Sequence, residues 1–255
     1  MPLTAVLFLF LVGACIGSFL NVVICRLPLD ESIVFPASRC PGCGRPIRPH
    51  ENIPIFGYLL LRGRCAGCGG RISPRYPLVE LLTAVGFAAI AWYASDGWML
   101  LRDLLFFTLL VPIVFIDIDH RIIPDELSLG GLVAGIALSF LPGGDWKESL
   151  PGALLGGGVL FAMAVIYEKL RKVEGMGGGD IKLLAMIGAF LGWRCAVLTL
   201  FFGSLLGAIG GLLAMRGSNE GLKTAIPFGP YLCVSALFAR YFGEWIWKMA
   251  LVATV

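Results

Sequence analysis

Charge is scarce in this sequence: Asp, Glu, Lys and Arg make up 15% of the 255 residues, while 58% are hydrophobic. A soluble domain of this length needs far more charge to cover its surface, so the ordinary soluble classes are excluded and the membrane class is left. A basic start is missing too. The apolar stretch from Leu3 to Cys25 follows no positive residue and is longer than the core of a secretory signal, so it is expected to be a retained first span. The glycine run before Asp180 lacks the Lys-Ser/Thr pair that completes a phosphate-binding loop, which argues against a nucleotide enzyme. No feature points to nucleic acid. What is plentiful is glycine, 34 residues, which suits close helix contacts in lipid.

Crossing the hydrocarbon takes about 20 apolar residues per helix. Runs that approach this length lie near 3–25, 77–95, 99–116, 127–142, 150–168, 181–193, 195–215 and 225–243. The expected fold is therefore an all-α polytopic membrane protein with about eight transmembrane helices. Pro112 and Pro227 fall inside runs, where membrane helices tolerate proline better than soluble ones. Of the 20 Lys and Arg residues, 15 fall in the loops of one side and five (Arg102, Lys147, Arg194, Arg240 and Lys248) on the other. The richer side is expected to be cytoplasmic, with both termini outside.

One substantial polar segment, residues 26–76, separates the first span (1–25) from a transmembrane core (77–255). It carries Cys40-Pro-Gly-Cys43 and Cys65-Ala-Gly-Cys68, each followed by glycine, with 21 residues between the two motifs. Paired CxxC knuckles fit a tetrahedral four-thiolate zinc site of the zinc-ribbon kind. Four thiolates leave no open position for a catalytic water, so the metal is expected to be structural. So small a segment with few large apolar side chains also needs such a staple. Two disulfides or a redox pair are the alternative, disfavoured on a cytoplasmic face. Cys15, Cys25, Cys195 and Cys233 lie in apolar runs and are expected to be small core residues.

Ionisable residues at the ends of apolar runs invite a functional hypothesis. Asp117 and Asp119 lie at the end of the third run, and Asp180 follows Gly177-Gly-Gly179 at the start of the sixth. Both places approach the membrane from one side, so they can meet although 63 positions separate Asp117 from Asp180. Two close carboxyls share a proton, one serving as base and the other as acid in peptide hydrolysis. Gly177 and Gly179 would let a substrate strand come close. A plain linker with Asp180 as a helix cap is the bland alternative.

Three further residues have two readings each. Glu80 is a supporting residue or an interface acid. Lys182 tunes the surroundings of Asp180 or reaches to the headgroups. Asn21 bonds across helices or satisfies nearby backbone.

Several blocks in order resemble the bacterial prepilin peptidases. They are Gly17-Ser-Phe-Leu-Asn21 through Pro28, the two CxxC pairs, Arg75-Tyr-Pro-Leu-Val-Glu80, Ile116-Asp-Ile-Asp-His-Arg-Ile-Ile-Pro-Asp125, Gly177-Gly-Gly-Asp180 and Pro227-Phe-Gly-Pro230. The resemblance implies a two-aspartate endopeptidase of the inner membrane. Such an enzyme removes leaders from type IV prepilins and type II secretion pseudopilins after a glycine, at the cytoplasmic membrane face. It further implies methylation of the new N-terminus with S-adenosylmethionine, at residues that the blocks do not identify. Matching the first aspartate block by its distance to the proline puts the catalytic role on Asp117, with Asp119 as neighbour. A transporter or channel with a zinc-stapled regulatory domain, and a methyltransferase without proteolysis, are the competing readings.

Overall fold

A computed structural model describes residues 1–172, 177–217 and 226–252, without the side chains of 216–217 and 250–252. Gly175 of the glycine run, residue 225 at the expected start of the last span and the cation Lys223 lie outside the described residues, as does the side chain of Arg216. The helices are α1 (Leu3–Arg26), α2 (Phe56–Leu60), α3 (Arg75–Tyr93), α4 (Gly97–His120), α5 (Asp125–Ser139), α6 (Trp146–Arg171), α7 (Gly178–Gly217) and α8 (Gly229–Val252). Among the described residues there is no strand, only two isolated bridges at the cysteine motifs. The all-α polytopic class expected from the sequence is borne out.

Among the described residues, five segments are long and apolar enough to cross a membrane: Leu3–Leu29, Arg75–Tyr93, Gly97–His120, Trp146–Arg171 and Gly178–Met215. The last is about twice the length one crossing needs. It is interrupted at Gly192, whose φ of 81° and ψ of 170° are non-helical. Only glycine adopts that combination readily, so the interruption sits on the residue that can make it. The break falls inside the expected 181–193 run rather than between it and the next. Helix α5, with 15 residues, is shorter than a full crossing.

The chain forms two compact units, Met1–Pro112 and Ile113–Val255, dividing at the proline inside α4. In the first, α1 and α3 pack backbone to backbone. Gly13 and Gly17, four residues apart, face Phe87 and Glu80. A Cβ on Gly17 would stand 2.7 Å from the Glu80 Cα, so only glycine permits this approach. Where α1 leaves its apolar run, the Asn21 side-chain amide donates to the Tyr76 carbonyl at 3.0 Å. The bond runs across helices and its acceptor is a backbone carbonyl, so it answers both readings.

In the second unit, α6 lies along the first half of α7. Gly152 and Gly188 meet face to face, and the buried Ser149 hydroxyl donates to the Ala189 carbonyl at 2.7 Å. Gly135 of α5 fits against Phe190. Gly203, Gly207 and Gly210 of α7 accept Leu232, Phe228 and Tyr231 at the start of α8. Leu183, Leu184, Met186, Ile187 and Leu232 are fully buried. Glycine therefore permits each of these close contacts, which hold α5, α6 and α8 against α7.

Candidate active site and metal cluster

Asp117 lies in the last turn of α4 and is turned inward, 5% exposed. Asp119, two residues on, is exposed on another face, as helical geometry dictates. Asp180 occupies the first turn of α7, half-buried, and the Asp117 carboxylate acts on it electrostatically. The two acids expected to meet are thus brought together within one compact unit.

A third segment completes the place. The amide of Gly229, at the start of α8, donates to Asp117 Oδ2 at 2.9 Å in a buried bond. Ile123, from the turn after Asp117, wedges between Gly179 and Gly229. A Cβ would stand 3.0 Å from Ile123 Cβ at Gly179 and 3.4 Å from its Cδ1 at Gly229. The Cys233 thiol, one turn further along α8, is fully buried and interacts with both acids.

The glycines differ among themselves. Gly179 is tightly packed, whereas a side chain at Gly177 or Gly178 would meet nothing within 4 Å among the described residues. Among the described residues those two positions border open space. Lys182 pairs with Asp125 at 2.6 Å, an ion pair in which the side chains are 36% and 58% exposed. Sequence reasoning assigned no role to Gly229 or Ile123. Both stood in quoted blocks, but nothing local signals a contact that spans 112 positions.

The first unit carries a different kind of site. Sγ atoms of Cys40, Cys43, Cys65 and Cys68 all lie within 4.8 Å of one another. Cys40 and Cys68 are 3.9 Å apart, nearly twice a disulfide length and close to the sulfur spacing of a tetrahedral thiolate centre. The knuckles repeat each other bond for bond. The Cys40 amide donates to the Arg45 carbonyl at 2.9 Å and the Gly44 amide to the Cys40 carbonyl at 2.8 Å. In the second knuckle Cys65 donates to Gly70 at 2.8 Å and Gly69 to Cys65 at 2.9 Å. Gly44 and Gly69 share a φ of 69°, the left-handed turn that favours glycine.

The amides of Cys68 and Gly67 hold the Cys65 thiol down at about 6. Cys43 is drawn down by the Arg45 amide, but its crowding thiol neighbours and burial outweigh this and push it up to about 11. Four sulfurs so close resist ionising together, and a dication relieves that conflict. The cluster is suited to a structural metal ion. Arg45 bridges the knuckles to Glu51 through a two-pronged ion pair of 2.8 and 2.6 Å.

Glu80, buried at 8% exposure, belongs to this unit as well. Its Oε2 accepts the Ile55 amide at 2.6 Å, fixing a residue whose φ is 65°. Beside it lies a cavity of about 550 Å³, lined by Asn21, Arg26, Arg39, Tyr58, Tyr76 and Glu80 among others and reaching Cys40 and Cys68.

Taken together, these features define an integral membrane protein with a paired-acid site in one helical unit and a four-cysteine cluster in the other. The family described as Bacterial Peptidase A24 N-terminal domain matches residues 11–94, and the type IV leader peptidase family matches residues 104–212. The chain belongs to the type IV leader peptidase family. A prepilin leader peptidase/N-methyltransferase of Myxococcus xanthus is 48% identical over 220 residues, 86% of this chain and 65% of that protein. Proteins of the same name from Aeromonas salmonicida and Pseudomonas aeruginosa are 40% and 39% identical. Those matches cover 92% and 96% of this chain, and 90% and 93% of the relatives. The chain spans just under two thirds of the Myxococcus relative and nine tenths or more of the other two. No solved structure matches.

Proposed function

We propose that this chain is a membrane aspartyl endopeptidase that cleaves the leaders of type IV prepilins and type II secretion pseudopilins after a glycine, and then N-methylates the new N-terminus. The observation that carries the reading is the convergence of Asp117 and Asp180 on a place that, among the described residues, is open at Gly177 and Gly178. One proton is shared by the two carboxyls. The ionised acid takes a proton from water as its oxygen bonds to the scissile carbonyl carbon. The protonated acid donates to the carbonyl oxygen. The C–N bond then breaks as the leaving nitrogen receives a proton. Asp119 and Lys182 border the site, and Gly179 seats Asp180 against Ile123. Eight crossings of the bacterial inner membrane, with both termini outside and residues 26–76 cytoplasmic, put this chemistry at the inner leaflet beside the prepilin's own span. The distribution of Lys and Arg supports that orientation.

The four cysteines are proposed to hold one structural Zn²⁺, joining two otherwise separate loops. For S-adenosylmethionine the donor set of the neighbouring cavity fits. Arg26 and Arg39 suit its carboxylate, the rings of Tyr58 and Tyr76 its base, and buried Glu80 its cationic sulfonium. When bound, that group supplies the methyl. Glu80 would orient it and accept the proton that the substrate amine gives up. Glu80 is thereby given a role in methyl transfer rather than in cleavage. A family whose members carry peptidase names does not favour the transporter or channel alternative.

Incubating a prepilin with purified wild-type and Asp180→Asn protein in lipid, and weighing the products, tests the reading. Cleavage plus a 14-dalton methyl increment is expected from the wild type alone. An uncleaved prepilin, with correctly inserted wild-type protein, would reject it.

A further inference from the structure

The two acids have unlike surroundings. Asp117 is the more buried, yet it has a fixed backbone donor in the Gly229 amide. Among the described residues no hydrogen bond to the Asp180 carboxyl is seen, and Asp117 and the Cys233 thiol are the titratable groups that interact with it. Gly229 begins α8, so its N–H belongs to the first turn and has no acceptor within the helix. Pro230 follows and offers no N–H of its own, and the Tyr231 and Leu232 amides are engaged by the Phe228 carbonyl. A first-turn amide also carries the positive end of the helix dipole, and it favours an anion over a neutral acid. Among the described residues, the titratable groups facing Asp117 are Asp180 from α7 and the Cys233 thiol from α8. Lys182 is held by Asp125. A Cβ at position 229 would stand 2.7 Å from Asp117 Oδ2, so a side chain there displaces the carboxylate from the amide.

We infer that Gly229 is a positioning residue whose backbone amide fixes Asp117 as the ionised member of the pair, the general base, and leaves the shared proton on Asp180, the general acid. The inference rests on the peptidase reading and adds to it an assignment of roles. It gives the Pro227-Phe-Gly-Pro230 block its task. Phe228 and the two prolines set the start of α8, and the one glycine brings an amide within reach of Asp117 without a side chain in the way.

Two measurements test it. In the first, leader cleavage is followed against pH for wild type and Gly229→Ala in lipid. The variant's acid limb should move up by about one pH unit, with kcat at neutral pH lowered roughly ten- to a hundredfold and KM within about twofold. A fall of equal size at every pH, or an unmoved acid limb, overturns the assignment. The second needs no variant at 229 and no substrate. Hydrogen exchange of the Gly229 amide is measured in the intact protein, where the segment Pro227–Pro230 holds only two exchangeable amides, those of Phe228 and Gly229. Exchange should quicken at least about tenfold in Asp117→Ala, recover in part in Asp117→Asn, and stay within about twofold of wild type in Asp180→Ala. Exchange unaltered by Asp117→Ala overturns the inference even if Gly229→Ala fails to insert. A protein that cleaves no prepilin but shows the exchange pattern would reject the peptidase reading while leaving the hydrogen bond in place.

Discussion

The cysteine cluster and the paired-acid site are built in opposite ways. Each cysteine knuckle is made by six consecutive residues, with the same backbone bonds and the same left-handed glycine twice over. The paired-acid site has no local unit at all. Asp117, Asp180 and Gly229 come from the ends of three helices, and what joins them is helix packing and the Ile123 wedge. A locally made site depends on its own few residues and its metal. A site assembled from distant residues depends on every interface that fixes those helix ends.

Predictions that break or sharpen this contrast begin with the acids. Asp117→Asn and Asp180→Asn should each lower leader cleavage by about a thousandfold or more while the protein still inserts, since paired groups act as a unit. Processing within tenfold of wild type would remove that residue from the mechanism. Next, Cys40→Ser with Cys43→Ser should take bound zinc from about one per chain to none by metal analysis, and open residues 26–76 to protease. Leader cleavage should fall far less, and an equal loss of both would show that the two sites are not independently built. Packing comes third. Gly188→Leu, at the meeting of α6 and α7, should cost about 2–3 kcal/mol in a denaturation assay and also lower cleavage, whereas Gly178→Ala at the open edge should be near neutral.

A pH effect is smaller. The Arg45 guanidinium, with the Arg48 amide, holds Glu51 below the usual carboxylate range. Its contribution is present above the unfolded value of about 4.3 and is lost as pH falls through the lower folded value. Glu51→Gln should therefore flatten the acid dependence of protease resistance in residues 26–76, and an unchanged profile would remove the ion pair from the account. Smallest of all is Lys182→Met. An ion pair this exposed is worth under about 1 kcal/mol, and cleavage should stay within about threefold of wild type.

How much was legible follows the same contrast. The knuckles could be read from spacing alone, down to the glycine after each second cysteine, because every bond that shapes them is local. The long helices were visible as apolar runs, and the place of Asp180 after its glycines needed only one segment. The choice between Asp117 and Asp119 rested on motif distance. Burial separates them by turning Asp117 inward and Asp119 out, a difference of helical phase that the end of an apolar run does not display. Glu80 showed itself as an acid at the start of a span, but its hold on Ile55 depends on a loop conformation that no periodicity announces. Nothing local marks Gly229, because its partner Asp117 lies on another helix.

The interruption at Gly192 resets the helical phase of α7. An α-helix turns about 100° per residue, so one residue inserted between Lys182 and Phe190 would swing Asp180 away from Asp117 or drag the fully buried Leu183–Ile187 face out of its packing. An insertion at the break itself, where the backbone is already non-helical, is absorbed by a local change of direction. The half of α7 beyond Gly192 takes its own rotational setting from its packing against Phe228, Tyr231 and Leu232, apart from the angle at which Asp180 is presented. The half of α7 that presents Asp180 has a rotational setting of its own.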